Sequence, residues 1–398
     1  MNNFVLLILD GLGVGEASDV ASTRPQDIGA NTLKSIIKLC PQIKIPNLIR
    51  LGILDVLDYD SDIINHSALY SRIEFAHEGA DTFMGHQEIM GTKPQAPIKH
   101  NFTKYLNPIK SALELENYSV RIVGDTEKYI IVDDCMIVSD NVECDLGSAI
   151  NVTGPTDVVA FEKIYQISKI VRKIVPLPRV IAMGGDAITL DNLIGAIESP
   201  PGFIGVDGPK SSIFNKNYCC RHLGYGVNTE EQLPHILHKN NIKTYFVGKV
   251  ADLVENAKGE SHSIVPTGKV LNKLLEFVTT KSNSFLCANV QETDLSGHVQ
   301  DALQYSKVLE EADRYIGEIL EKLGDNDILV VTADHGNDPT IGHSKHTREY
   351  VPLLVSANNS KKGKFQQQNT LSCVAATVCD FYSIKYTSFG NSFLNMIF

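Results

Sequence analysis

Apolar residues in this chain fall in short unbroken runs rather than in strict alternation. Phe4-Val5-Leu6-Leu7-Ile8-Leu9 closes on Asp10-Gly11-Leu12-Gly13-Val14-Gly15. Lys243 to Gly248, Ser284 to Val290, a run from 327 to 333 and Tyr350 to Ser356 repeat the pattern. Continuous apolar strands suit a sheet covered on both faces. Between them lie helical patterns. Asn31-Thr32 precedes Leu33, Ile36, Ile37 and Leu39 as a capped helix. From about Asp301 to Leu323, Leu303, Tyr305, Val308, Leu309, Ala312, Tyr315, Ile316 and Ile319 form an apolar stripe, and a last helix falls near Leu371 to Phe381. Strand and helix alternating at this spacing predict an α/β fold, a mostly parallel sheet flanked by helices. Ligands then belong at the carboxyl ends of the strands, where Asp10, Asp294 and Asp334 fall.

The middle of the chain is less regular. A helix from Ala160 to Ile174 and a strand at Arg179 to Ala182 stand out, among several turns. The region reads as an inserted, smaller α+β cap, with a boundary at Thr92-Lys93-Pro94-Gln95-Ala96-Pro97. The expected division is a core in two segments, 1–98 and 222–398, with the cap at 99–221. Lys361-Lys362-Gly363-Lys364 reads as a solvated loop.

The chain has 398 residues, 43% of them apolar and 21% charged, with a formal net charge of −11. This balance disfavours a broad nucleic-acid face, since such faces are usually basic. It leaves room for a small anionic substrate drawn in by metals and a few local cations. The first apolar run has no basic flank and is far too short to span a membrane, so a cytoplasmic protein with no membrane partner is expected. Eight cysteines without a CxxC pair read as buried thiols in a reducing compartment. Oligomeric state is not legible.

The candidate chemistry gathers at the strand ends. Asp334-His335 follows a strand directly, and His346 lies twelve positions after Asp334. Asp294 and His298 are separated by Leu295-Ser296-Gly297, which brings both around one turn of a loop. Asp, His and His suit Zn2+ or Mn2+, and carboxylates suit Mg2+. Asp10 could instead cap a turn, and His335 and His346 could be hydrogen-bonded core residues. His343 reads as a supporting or solvent-facing residue. In Gly79 to Gly91, Thr82 sits in a glycine-bounded loop, where a hydroxyl on a metal could accept phosphate. His86 would orient substrate or hold that loop, while Met84 and Ile89 read as packing residues.

These segments resemble the phosphopentomutase family of the alkaline phosphatase superfamily, which also contains cofactor-independent phosphoglycerate mutase. The resemblance rests on Asp10-Gly11 with Gly13 and Gly15, Gly29 to Thr32, Asp81-Thr82 before His86 to Gly91, and Gly248-Lys249 with Asp252. It rests also on Asp294 to His298, Asp334 to Thr340 and His346 to Pro352. It implies an alkaline-phosphatase-like core in which Thr82 carries phosphate. One divalent cation, Mn2+ by family preference, would be held by Asp10, Asp334, His335 and Thr82, and a second by Asp294, His298 and His346. The implied reaction moves phosphate between the 1- and 5-positions of ribose or deoxyribose through a sugar bisphosphate, which would also serve as activator. His86 and Lys249 are the implied substrate contacts in the core. The cap lacks the family's arginine segments, and Lys210, Lys216 or Arg221 would stand in for them. A mutase for another phosphorylated metabolite, a phosphatase or phosphodiesterase, and a non-catalytic metal-binding protein are the alternatives.

Overall fold

A computed structural model describes residues 2–57, 68–95, 98–143, 146–215, 217–225, 227–386 and 388–398. The chain forms two compact units, Met1–Pro94 with Asn228–Phe398, and Gln95–Val227. The proposed boundary residues Ala96 and Pro97 lie outside the described residues, as do Cys144 and Lys216.

The first unit is built on eight strands: β1 Phe4–Leu9, β2 Leu69–Ile73, β3 Lys243–Gly248, β4 Glu260–His262, β5 Ser284–Val290, β6 Ile328–Thr332, β7 Val351–Ala357 and β8 Gly363–Lys364. Their order across the sheet is β4-β3-β5-β1-β6-β7-β2-β8. β4, β3, β5, β1 and β6 run parallel, in the register Phe4↔Phe285 and Phe4↔Ile328. All residues of β1, β5 and β6 are buried, which is why their sequences are apolar throughout instead of alternating. β7 runs antiparallel to both β6 and β2. The reason is its connection: residues 333–350 contain no crossover helix, so the chain turns back beside β6 as a long hairpin. The Asp334 to His346 stretch is the loop of that hairpin.

Six helices matter to the site: α1 Thr32–Leu39, α2 Thr82–Ile89, α3 Thr267–Thr280, α4 Glu292–His298, α5 Ala302–Lys322 and α6 Cys373–Phe381. Asn31 caps α1 through Lys34 N, and Asp301 caps α5 through Gln304 N. On α5 the buried stripe contains Tyr305, Val308, Leu309, Ala312, Ile316 and Ile319. Leu303 faces solvent, because it lies outside that stripe. The stripe also buries Asp313, whose carboxylate accepts from Asn47 N and Leu48 N and so caps a neighbouring short helix. Residues 363–364 pair with β2 as an edge strand, correcting the reading of that stretch as a plain loop. Cys287, Cys373 and Cys379 are buried, whereas Cys40, Cys135, Cys219 and Cys220 are only partly so, and all seven are free thiols.

The second unit is a six-stranded sheet in the order 219–224, 179–185, 149–155, 136–140, 129–132, 120–123. Ile130, Val132, Val138, Val152 and Ala182 meet the helices Leu106–Leu115 and Phe161–Ile174 on one face. Ile131, Ile137, Ile181 and Met183 pack under Leu193, Ile204 and Ile213 on the other. Among the described residues no helix is long and apolar enough to cross a membrane.

Candidate metal centre

Three strands deliver one carboxylate each to the same edge of the sheet. Asp10 follows β1 directly, Asp334 follows β6 by one residue, and Asp294 sits in the first turn of α4, just beyond β5. All three side chains are buried. Thr82 is the first residue of α2, not a loop residue as the sequence suggested, and Asp294 with His298 lies on a helix. The Asp81 side chain caps α2 by accepting from Met84 N. Gly85 lets that helix approach closely, since a Cβ there would stand 2.7 Å from the Asp334 carbonyl oxygen. In this seat Thr82 Oγ1 donates to Asp334 Oδ2 at 2.6 Å.

The histidines are oriented in one way. His298 Nδ1 donates to Ser344 O at 2.6 Å, His346 Nδ1 to Ala80 O at 2.9 Å, His335 Nδ1 to Gly336 O at 2.9 Å, and His86 Nδ1 to Thr82 O at 2.9 Å. A carbonyl oxygen can only accept, so Nδ1 carries the hydrogen in each ring and, in the neutral ring, Nε2 presents a lone pair. Nε2 of His298 and of His346 face each other at 3.0 Å, with Asp294 Oδ1 3.3 Å from His346 and Oδ2 3.5 Å from His298. Two lone pairs and a carboxylate pointing at one spot repel one another unless a cation lies among them. His335 Nε2 is 3.4 Å from Asp10 Oδ1 and 3.2 Å from Asp334 Oδ2, yet it and Asp10 Oδ1 are buried without a hydrogen-bond partner. His86 differs: its Nε2 accepts from Asn289 Nδ2 at 3.0 Å, which occupies both nitrogens and makes it a support for the Thr82 helix.

Charge points the same way. Lys249 Nζ stands 2.9 Å from Asp10 Oδ2 and 3.1 Å from Asp294 Oδ2. Burial would lower its ammonium, but Asp10 and then Asp294 raise it, so it stays charged. Burial would lower the His335 imidazole, but Asp334 and then Asp10 push it well up, so without metal the three buried carboxylates lean on Lys249 and on a proton at His335, a place that a divalent cation would take. Burial opposes ionisation of Asp294, but Lys249 and then His346 hold it well below the usual carboxylate range. Burial and then neighbouring His335 push the His346 imidazole down, which keeps it neutral as a ligand must be. The donor set, the orphaned atoms and the concentration of buried carboxylates all fit divalent metal. The groupings that close on a common point are Asp294, His298 and His346; Asp10, Asp294 and His335; and Asp10, His86 and Asp334.

Several supporting residues had escaped the sequence reading. Asn337 Nδ2 donates to Asp294 Oδ1 at 2.8 Å. Glu349, fully buried, accepts from Thr32 N at 2.9 Å, Thr32 Oγ1 at 2.7 Å, Gly15 N at 3.2 Å and Thr347 Oγ1 at 2.6 Å. Burial pushes its carboxyl up to about 7. Gly13 is required beside it, because a Cβ there would fall 2.1 Å from Glu349 Oε2. The available cue was Arg348-Glu349 standing directly before a buried apolar strand, where charged residues are rare unless paired. His343 Nε2 meets Asp27 Oδ1 at 3.0 Å, a supporting contact. The cap candidates are in the second unit: Lys210 is exposed and paired with Glu198, and Arg221 is exposed on the 219–224 strand, donating to Cys220 O at 3.0 Å.

A model of the metalloenzyme superfamily matches residues 2–386. The chain belongs to the metalloenzyme superfamily. Among solved structures, the PH0037 protein from Pyrococcus horikoshii is similar at 14% identity over 98% of each chain, with a TM-score of 0.49. The Leishmania mexicana phosphoglycerate mutase, crystallised at low cobalt concentration, shares 11% identity over 98% of this chain and 97% of its own, with a TM-score of 0.49. The lipoteichoic acid synthase LtaP from Listeria monocytogenes shares 16% identity over 43% of this chain and 59% of its own, with a TM-score of 0.32. The metalloenzyme assignment agrees with the fold, an alkaline-phosphatase-like α/β architecture, and with the donor clusters at its sheet edge.

Proposed function

We propose that this metalloenzyme transfers phosphoryl groups through Thr82, and that it is a mutase acting on a small phosphosugar, ribose or deoxyribose 1-phosphate to 5-phosphate in the first instance. The observation that carries the reading is the Thr82 hydroxyl, 2.6 Å from Asp334 and seated at the start of a helix among the donor clusters. A threonine kept there only for packing would not need its hydroxyl aimed at a buried, ionised carboxylate. In the assignment we favour, Asp10, Asp334, His335 and Thr82 hold one cation and Asp294, His298 and His346 hold the other, with Mn2+ as the preferred ion. Bound there, the cations supply positive charge to the phosphoryl oxygens and favour the alkoxide form of Thr82.

The chain's own groups do the rest. Thr82 Oγ1 bonds to phosphorus as the bond from phosphorus to the donor oxygen breaks. The hydroxyl proton leaves along its hydrogen bond to Asp334 Oδ2, whose carboxyl His335 and then His86 hold ionised against burial. The departing donor oxygen takes up a proton in exchange; in the return step a sugar hydroxyl bonds to phosphorus and gives up its proton as the bond to Thr82 breaks, and Thr82 regains its proton from Asp334 Oδ2. A sugar bisphosphate thus both primes the enzyme and links the two half-reactions. His86 fixes the first turn of α2 by holding the Thr82 carbonyl, and Lys249 keeps Asp10 and Asp294 apart while offering charge toward substrate.

The experiment is to supply Mn2+, ribose 1-phosphate and a trace of sugar bisphosphate, following isomer and inorganic phosphate separately. Ribose 5-phosphate supports the mutase. Free phosphate alone makes the protein a phosphatase, and neither product across a panel of phosphosugars removes the phosphosugar reading.

A further inference from the structure

The segment 74–81, which leads into Thr82, has no regular secondary structure, so its main-chain groups need other partners. They find them on two opposed sides. Glu88, in the helix that Thr82 begins, accepts from Ala76 N at 2.9 Å and His77 N at 3.0 Å, and its Oε2 lies 2.8 Å from His77 Nδ1. Arg348 takes the carbonyl side: Nη1 donates to His77 O and Gly79 O, both at 2.7 Å, and Nη2 to Phe75 O at 3.4 Å. Its Nε donates to Asp19 Oδ1 at 2.6 Å, and the guanidinium lies 4.8 Å over the Phe75 ring. Arg348 is buried and stands two residues after His346.

The two ends of this contact are anchored unequally. The 346–348 stretch has its own main-chain ties: Thr347 pairs with Gly336 in both directions, Arg348 N donates to Asp27 Oδ2 at 2.9 Å, Ala17 N donates to Arg348 O at 3.1 Å, and Arg24 donates to His346 O at 2.9 Å. None of these needs the Arg348 side chain. The carbonyls of Phe75, His77 and Gly79 lean on that side chain. We infer that Arg348 is a positioning residue for Thr82: its guanidinium and the Glu88 carboxylate hold the carbonyls and the N–H groups of the approach segment and set where the hydroxyl lies, while the ligand loop keeps its own main-chain ties and meets the segment through His346 Nδ1, which donates to Ala80 O at 2.9 Å. This rests on Thr82 as the phosphate carrier.

The test uses the full-length protein, with Arg348→Met and Arg348→Lys. Three quantities are measured: the rate of Thr82 phosphorylation by ribose 1,5-bisphosphate in rapid-quench mass spectrometry, Mn2+ affinity by calorimetry, and amide exchange over 76–84. For Arg348→Met we expect phosphorylation about 100-fold slower, the scale of a misplaced reacting group. Mn2+ affinity should fall far less than the rate, by no more than the roughly tenfold that a loosened Ala80 partner of His346 costs, and exchange should quicken over 76–84 but not over 334–337. Arg348→Lys keeps the charge without the planar fork and should recover part of the rate; where the methionine variant does not fold, the lysine variant should show the same split on a smaller scale. Unchanged phosphorylation, or Mn2+ affinity falling in step with the rate, overturns the inference. If the wild type itself never phosphorylates Thr82, the phosphate-carrier reading fails. The exchange data then still decide whether Arg348 holds the segment, with unchanged exchange over 76–84 counting against it.

Discussion

In the unit formed by residues 1–94 and 228–398, buried carboxylates and imidazoles converge with their lone pairs unspent. In the 95–227 unit, the buried Asp140 is spent on structure, its two oxygens accepting from Phe102 N at 2.7 Å and Ile204 N at 3.1 Å. Asp10, by contrast, keeps its buried Oδ1 free of any hydrogen bond while Oδ2 faces Lys249 Nζ at 2.9 Å. Polar groups are buried in both units, yet among the described residues the donor clusters that could hold a cation all lie in the first. The first unit should therefore respond to metal and the second should not.

The largest expected effect is on chemistry. Thr82→Ala should slow phosphoryl transfer by roughly 10⁴-fold or more, as loss of a nucleophile does elsewhere, while metal binding persists; turnover close to wild type in an isotope-exchange assay would rule Thr82 out as carrier. Next comes the donor set. Asp334→Asn and His346→Ala should each weaken Mn2+ binding by more than the roughly 10–100-fold typical of losing an outer supporting partner. Elemental analysis after gel filtration would expose either residue as a bystander if occupancy were unchanged.

The comparison also marks what the sequence could convey. Phe4–Leu9, Ser284–Val290 and the α5 stripe were legible because each is long enough for its pattern to be unambiguous, and a carboxylate ending such a run is a strong chemical cue. The helices beginning near Thr82 and Asp294 were not. Gly79, Gly85, Gly91 and Gly297 read as loop residues, although Gly85 and Gly297 serve close approach of helix to backbone, with Gly297 set against Asn337. The 95–227 unit was hardest to read. Its strands Tyr129–Val132 and Met136–Asp140 are four and five residues long and buried throughout, so no alternation betrays them. Ala149–Pro155 hides Asn, Thr, Gly and Pro in a fully buried strand that propensity disfavours. Glu349 and Arg348 were seen as motif letters, but their partners, Thr32 and the Phe75 to Gly79 carbonyls, are over 250 positions away in sequence.

Smaller effects sharpen the contrast. Adding metal at a thousand times its dissociation constant should stabilise the first unit by about 4 kcal/mol. Hydrogen exchange should slow near residues 10, 294–298 and 334–346 and not across 95–227; equal slowing in both units would erase the distinction. In the second unit, burial pushes the Asp140 carboxyl up to about 6 from an ordinary 3.8. The folded unit then binds that proton more tightly than the unfolded chain. The resulting stability is full below about pH 4 and lost as pH rises through about 6, an upper bound of about 3 kcal/mol. Intrinsic-rate-corrected exchange of the 95–227 amides at pH 5 and pH 7 measures it, and Asp140→Asn should flatten the change; a slope that survives the substitution would assign it to another group.

Most depends on two cations, one of them beside the Thr82 hydroxyl. The direct measurement is anomalous scattering from crystals of the Mn2+-loaded protein. Two peaks are predicted, one among Asp294, His298 and His346, the other among Asp10, Asp334 and His335 and within bonding distance of Thr82 Oγ1. A single peak, or two with Thr82 turned away from both, would contradict it.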